Sequence, residues 1–377
     1  MNIDAPTPLL GGLTPRIFMR RHWQKRPLLI RQALPGVAAP LTRSELFELA
    51  ANEDVESRLV RSTESGWVLR HGPFKRRAIP SVAKPNWTLL VQGLDLHADV
   101  VHELLAKFRF VPDARLDDLM LSYATDGGGV GPHLDSYDVF LLQVQGVREW
   151  RIGRVAKPNF AADAPLKILT NFRAEQRWIL EPGDMLYLPP LWAHEGVARG
   201  ECMTASIGFR APAEHELAST LMQRWLDDAD EAQPPQRAEA PRYRDREQGA
   251  TAAPGRIPGA LSEFAAAALR REWSDPRRLG RVLGELLSEP KHHVVFVRGP
   301  GLRHGAGLRL DRRTRMLYDS HHVFINGDSF NASGTDAVLL RRLADRQSIQ
   351  AKDVVRFSLQ AKALLDEWAR CGWLISS

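Results

Sequence analysis

Residues 126–153 read DGGGVGPHLDSYDVFLLQVQGVREWRIG. A glycine-rich turn leads into His133 and Asp135, and then into a long run of β-branched and aromatic residues. Residues two apart on a strand project from the same face, so the imidazole and the carboxylate are expected to converge. A second segment, residues 183–197, reads GDMLYLPPLWAHEGV. Gly183-Asp184 predicts a turn, Met185 to Leu188 a strand and Pro189-Pro190 a bend, with His194 opening the next strand. Two histidines and one carboxylate form the facial triad that holds Fe(II) and leaves positions open on the other side. H-x-D alone is common, and so is a lone histidine. The combination carries the weight, because the separation of 59 residues (194 minus 135) suits opposite strands of one barrel. Arg148 follows on the strand after H-x-D. A guanidinium can grip a carboxylate with two hydrogen bonds, so Arg148 could anchor the far end of a dicarboxylate cosubstrate.

Outward from this segment, residues 1–212 alternate strand-like runs such as WVLRHGPF with Gly/Pro turns, the pattern of an all-β sandwich or barrel. Early helical signals include LTRSELFELAANED, where Thr42 or Ser44 could cap. Residues 213–293 form a helical zone interrupted at about 230–258 by a Pro/Ala/charge-rich linker. There Leu261, Phe264, Ala265, Ala268 and Leu269 share one helix face, and a second helix is expected over about 276–287. Residues 294–377 fit a small α+β module such as a winged helix. Asn326-Gly327 signals a hairpin, Thr335 a helix N-cap, and Gly372 the end of the Ala361/Leu364/Leu365/Trp368 helix.

Composition limits the alternatives. The 51 Lys plus Arg against 45 Asp plus Glu leave a net charge of +6, mild for 377 residues and compatible with a solvated surface. Two cysteines, Cys202 and Cys371, cannot build a disulfide scaffold or a multi-cysteine zinc site. No run approaches the ~20 apolar residues of a membrane helix, so a cytoplasmic protein without a membrane partner is expected. The GGGVG turn lacks the Lys-Ser/Thr of a phosphate loop. His292-His293 and His321-His322 are adjacent, and neighbours on a strand face opposite ways. The basic cluster Arg16, Arg20, Arg21, Lys25 and Arg26 suits helix and solvent ion pairs, and direct nucleic-acid binding is not expected.

GVGPHLDSYDVFLLQVQGVREW, then GDMLYLPPLWAHEG, then SIGFRAP, together resemble the bacterial ribosomal oxygenases of the Jumonji-C, cupin-like superfamily. FMRRHWQKRPLLIRQALPG resembles the family's entry segment, and the likeness is densest over residues 10–212. The resemblance implies a double-stranded β-helix (jelly-roll) catalytic domain, a helical dimerisation segment and a C-terminal winged-helix-like domain. It implies Fe(II) on His133, Asp135 and His194, 2-oxoglutarate on Arg148, and dioxygen as the other cosubstrate. Where the family places a small hydroxyl residue to help hold 2-oxoglutarate, this chain has Ala124, with Ser122 and Thr125 as the nearby candidates. Tyr137 and Asp126 are candidate substrate residues, and Asp117, Asp118 and Asp138 are further acids that could meet a cationic side chain. The implied reaction is hydroxylation of a ribosomal protein, with an arginine β-carbon of large-subunit protein sixteen as the expected target. A histidine or methylated lysine target, and a non-catalytic winged-helix protein associated with nucleic acid, are the alternatives.

Overall fold

The computed structural model describes residues 2–231, 241–246, 250 and 255–376, so most of the expected linker lies outside the described residues. The chain divides into two compact units, one up to Ala211 and one from Pro212 onward.

The first unit is built on nine antiparallel strands: β1 Leu28–Ile30, β2 Ser57–Thr63, β3 Gly66–His71, β4 Trp87–Val91, β5 Leu116–Ala124, β6 Val139–Arg154, β7 Gln176–Leu180, β8 Met185–Leu188 and β9 Trp192–Phe209. Their order is β1-β8-β6-β9-β5-β4-β2-β3, with β7 also on β6. The two long strands make this a jelly roll. β9 runs beside the whole of β6, while β6 gives its first half to β8 and its second half to β7. The β6–β9 register shifts around Gln145, where Gly146 takes φ +62° and a Cβ would lie 2.1 Å from the Glu201 carbonyl. That bulge bends the pair around the interior.

Alternation then separates two environments. Leu119, Leu121 and Tyr123 of β5 join Phe140 and Leu142 of β6 in a dry core, whereas Asp118, Met120 and Ser122 line an internal cavity. Three helices, α1 Pro15–Arg21, α2 Arg43–Leu49 and α3 Asp99–Ala106, contribute Phe18, Leu46, Phe47, Val101, Leu104 and Leu105 to the dry core. Thr42, not Ser44, caps α2, and Glu45 completes a capping box. Of the basic cluster, Arg16 pairs with Asp4, and Lys25 and Arg26 donate to carbonyls at the end of α1.

The second unit contains α4 Glu214–Glu231, α5 Gly259–Glu272, α6 Pro276–Ser288, the strands β10 Leu308–Leu310, β11 Met316–Tyr318, β12 His322–Ile325 and β13 Asp328–Asn331, then α7 Gly334–Arg346, β14 Ser348–Ile349, α8 Ala351–Val354, α9 Leu359–Arg370 and β15 Leu374–Ser376. The strands form two small sheets, β14-β10-β15 and β11-β12-β13. Leu221 and Trp225 of α4 pack on Val282 of α6, and the Trp225 and Trp273 rings stack at 4.6 Å. Asn326 and Gly327 turn the β12–β13 hairpin at φ +50° and +95°, and Gly372 follows α9 at φ +78°. The N-cap of α7 is Ser333 rather than Thr335. Ser333 is the last extended residue, and Thr335 already lies in the first turn. His292 and His293 lie in a turn, not on a strand, and His321 precedes β12.

Candidate metal centre

His133 and His194 exchange two backbone hydrogen bonds of 3.0 Å, forming an isolated antiparallel bridge. They are therefore direct neighbours rather than residues on opposite strands. Asp135 lies in the loop before β6, its carbonyl accepting from the Leu191 N–H at 2.8 Å. His133 Nε2 is 4.0 Å and His194 Nε2 3.6 Å from the Asp135 carboxylate, and the three ligand atoms lie within 4.8 Å of one another. The two rings sit 4.2 Å apart.

The tautomers follow from the other ring nitrogens. His133 Nδ1 meets the Gly131 carbonyl at 3.0 Å and His194 Nδ1 meets the Trp192 carbonyl at 2.9 Å. A carbonyl only accepts, so each Nδ1 carries the proton and each Nε2 turns its lone pair toward the shared centre. His194 is held at about pKa 4, first by burial and then by His133, which keeps it in the neutral, ligating form. Two imidazoles and one carboxylate on one side of a point suit Fe(II).

This triad opens into a cavity of about 390 Å³ that Arg148 also lines. Arg148 is 3% exposed. Its Nη1 donates to Ser122 Oγ and its Nη2 to the Gly196 carbonyl, both at 3.2 Å, while Nε has no partner. The guanidinium lies 5.2 Å from the Trp150 ring centre. Burial lowers its pKa, and its hydrogen-bond partners are neutral. A buried cation in this state favours an incoming anion. A dicarboxylate with one end on the metal would supply it.

Residues 103–217 match the JmjC domain family, and residues 270–374 match the ROXA-like winged helix. The ribosomal protein uL16 3-hydroxylase of Escherichia coli K12 is 42% identical over 203 residues, covering 54% of this chain and 54% of that protein. A probable ribosomal oxygenase of Haemophilus influenzae is 38% identical over 204 residues, 53% of this chain and 50% of that protein. These alignments span about half the length of the curated relatives. The X-ray structure of E. coli YcfD superposes with a TM-score of 0.85 at 30% identity, covering 97% of this chain and 98% of that one. YcfD in complex with cobalt and 2-oxoglutarate gives 0.82 over 96% and 98%. This chain belongs to the Jumonji-C ribosomal oxygenase family.

In this family member the remaining sequence candidates divide. Ser122 lines the cavity and binds Arg148, so it supplies a hydroxyl on the face that Ala124 also occupies, two residues earlier on β5. Ala124 is packed with Ala198 and Cys202. Thr125 faces elsewhere, since its hydroxyl hydrogen-bonds the Trp87 backbone. Tyr137 stands in the cavity wall, and burial first, then Asp135 and Asp118, raises its pKa. Asp117 and Asp118 also line the cavity. Asp126 lies away from it, exposed, accepting from the Gly200 N–H at 2.7 Å. Asp138 is fully buried in the dry core, where it accepts from Tyr187 Oη at 2.6 Å and Gln24 at 3.1 Å, so it cannot meet a substrate.

Sequence reasoning did not single out Gly196 and Trp150, which contact Arg148, or the cavity-lining Gln92. A Cβ on Gly196 would sit 2.7 Å from both Arg148 Nε and the Trp150 ring. The available signal was position: Gly196 is two residues after His194, hence on the same face of β9. The glycine-rich turn serves the same end, because a Cβ on Gly129 would reach 2.5 Å from the Gly196 carbonyl.

Proposed function

We propose that this chain is a 2-oxoglutarate- and Fe(II)-dependent protein oxygenase, with His133, Asp135 and His194 holding the metal. The observation that carries this reading is the shared cavity: a His-Asp-His donor set and, within it, a buried arginine whose hydrogen-bond partners are neutral. Arg148, with Ser122 beside it, holds the distal carboxylate of 2-oxoglutarate. The bound metal supplies the oxidant from dioxygen, and the cosubstrate leaves as succinate and carbon dioxide. The chain's own part is to keep both Nε2 atoms deprotonated, to fix the cosubstrate and to hold the target carbon in a walled site.

The substrate is a large-subunit ribosomal protein, met in the cytoplasm, and the side chain is arginine at its β-carbon. The E. coli relative named for uL16 supports the first, and Asp117, Asp118 and Tyr137 in the cavity wall support a cationic side chain. The protein acts as a homodimer through the helical segment, where Met222 and Leu226 of α4 and Leu261 and Leu269 of α5 are exposed apolar residues. Direct nucleic-acid binding plays no part. Arg341 and Arg342 of α7 are engaged by the Ser320 carbonyl and Asp353 within their own unit.

Purified protein with Fe(II), 2-oxoglutarate and the ribosomal protein releases succinate in step with addition of one oxygen atom to an arginine. Absence of both products contradicts the reading.

A further inference from the structure

Four buried side-chain atoms of residues lining the cavity have no hydrogen-bond partner among the described residues: Arg148 Nε, Trp150 Nε1, Arg58 Nε and Gln92 Oε1. The first two are donors on β6, where the anionic cosubstrate belongs, and the third is a donor on β2. Gln92 is different in kind and in place. It is an acceptor, and it follows directly on β4, which lies three strands from β6 in the sheet order.

The register fixes its surroundings. Leu90 pairs with Ser122 and Val91 with Leu121, so Gln92 comes next to Met120, on the cavity face that alternation gives to Leu90. The Gln92 N–H continues the sheet by donating to the Glu56 carbonyl at 2.9 Å. One residue on, the Gly93 N–H donates to Asp118 Oδ2 at 2.9 Å. The Gln92 amide and the Asp118 carboxylate therefore share one backbone corner of the wall. Neither Arg58 Nε nor another described donor hydrogen-bonds Gln92 Oε1; a buried carbonyl oxygen without a donor is costly, and its retention in a functional cavity asks for a donor from outside.

We infer that Gln92 is a specificity-determining residue whose amide oxygen accepts an N–H of the substrate guanidinium, beside the Asp118 carboxylate. The inference rests on reading the cavity as an arginine site. A guanidinium is all donor, five N–H groups in a planar fork, so an amide oxygen and a carboxylate set side by side can take two of its edges. Gln92 thereby reads the side chain, while the triad and Arg148 serve the metal and the cosubstrate.

Gln92→Met keeps the length and unbranched shape of the side chain and removes the acceptor. The expected result is a rise of about tenfold or more in KM for a peptide carrying the target arginine. KM for 2-oxoglutarate, which Arg148 and Ser122 serve on β6 and β5, stays within about twofold. A peptide with norleucine at the target position has no N–H to offer, so it competes equally against wild type and Gln92→Met. A loss of affinity that persists on the norleucine peptide assigns the effect to packing and overturns the inference. An unchanged KM for the arginine peptide in Gln92→Met overturns it as well. A structure of the wild-type protein with the bound arginine peptide provides the readout that needs no variant. Gln92 Oε1 within hydrogen-bonding distance of a guanidinium nitrogen supports the assignment, and separation beyond about 4 Å sinks it. Wild-type protein inert toward the arginine peptide overturns the arginine reading and this inference together. Active wild type with an indifferent Gln92→Met overturns this inference alone.

Discussion

Arg148 and Glu149 are neighbours on β6 that point to opposite faces, and each is a buried charge with 3% and 4% exposure. Their surroundings differ completely. Glu149 is gripped by three arginines: Arg177 at 2.5 Å, Arg199 at 2.5 Å and Arg151 at 2.9 Å. Arg148 has a serine hydroxyl, a backbone carbonyl and an unpartnered Nε. Glu149 is satisfied within the fold, whereas Arg148 Nε has no partner among the described residues, and on the proposed reading a ligand completes it. A buried charge that the fold satisfies belongs to stability, and one that it leaves short marks where a ligand of opposite sign goes.

The sharpest break of this contrast lies one step into the cavity. His133→Ala removes a metal ligand from the face that Arg148 serves. Turnover should fall to background while the melting temperature stays within a few degrees of wild type; retained turnover would refute the ligand assignment. Arg148→Lys keeps the charge and gives up the fork. Its expected effect is a roughly tenfold to hundredfold rise in KM for 2-oxoglutarate, from the loss of one charged hydrogen bond. An unchanged KM would place the cosubstrate elsewhere.

Gly196→Ala reaches the same arginine indirectly. Its new Cβ would crowd Arg148 Nε and Trp150 at 2.7 Å, so KM for 2-oxoglutarate should rise about tenfold without loss of metal binding. Glu149→Gln tests the other face of the strand. It should cost about 1–3 kcal/mol in denaturant unfolding and leave KM for 2-oxoglutarate unchanged. A catalytic defect at unchanged stability would reverse the roles given to these neighbours. Acid sharpens the same point. Arg177 first, despite opposition from burial, and then Arg199 and Arg151 hold Glu149 down at about pKa 2, below its ordinary 4.5. The resulting stabilisation is complete above the ordinary value and is lost as pH falls from about 4.5 through 2. In Glu149→Gln that part of the acid loss should be missing.

Much of the catalytic unit was legible because its signals are local and chemically specific. H-x-D, His194 and Arg148 are residue types with specific chemistry, but His133 and Asp135 converge through an isolated bridge and the loop before β6 rather than through the strand periodicity expected of them. Geometry corrected the detail. His133 and His194 are paired directly by backbone hydrogen bonds, a relation that side-chain identity does not encode. The Nδ1 acceptors are the carbonyls of Gly131 and Trp192, and any residue carries a carbonyl, so the tautomer control was invisible in the chain. Asp138 illustrates the opposite failure. It lies beside Tyr137 in sequence, but the alternation that opens β6 sends it into the core with Tyr187. Thr125, a hydroxyl candidate beside Ala124, and Asp126, a candidate substrate acid, both lie at the glycine turn, which directs their side chains to Trp87 and Gly200. In the second unit the Asn326-Gly327 hairpin was readable because so few residues accept positive φ, whereas the α7 cap shifted to Ser333, since two hydroxyl residues, Ser333 and Thr335, flank Gly334.

The most direct test of the central claim is an intact-mass comparison of large-subunit ribosomal proteins from cells with and without this gene. A mass difference of one oxygen atom on a single protein, mapped to an arginine and absent when His133→Ala replaces wild type, is the predicted result. Identical masses throughout, or a difference that survives in His133→Ala, would contradict it.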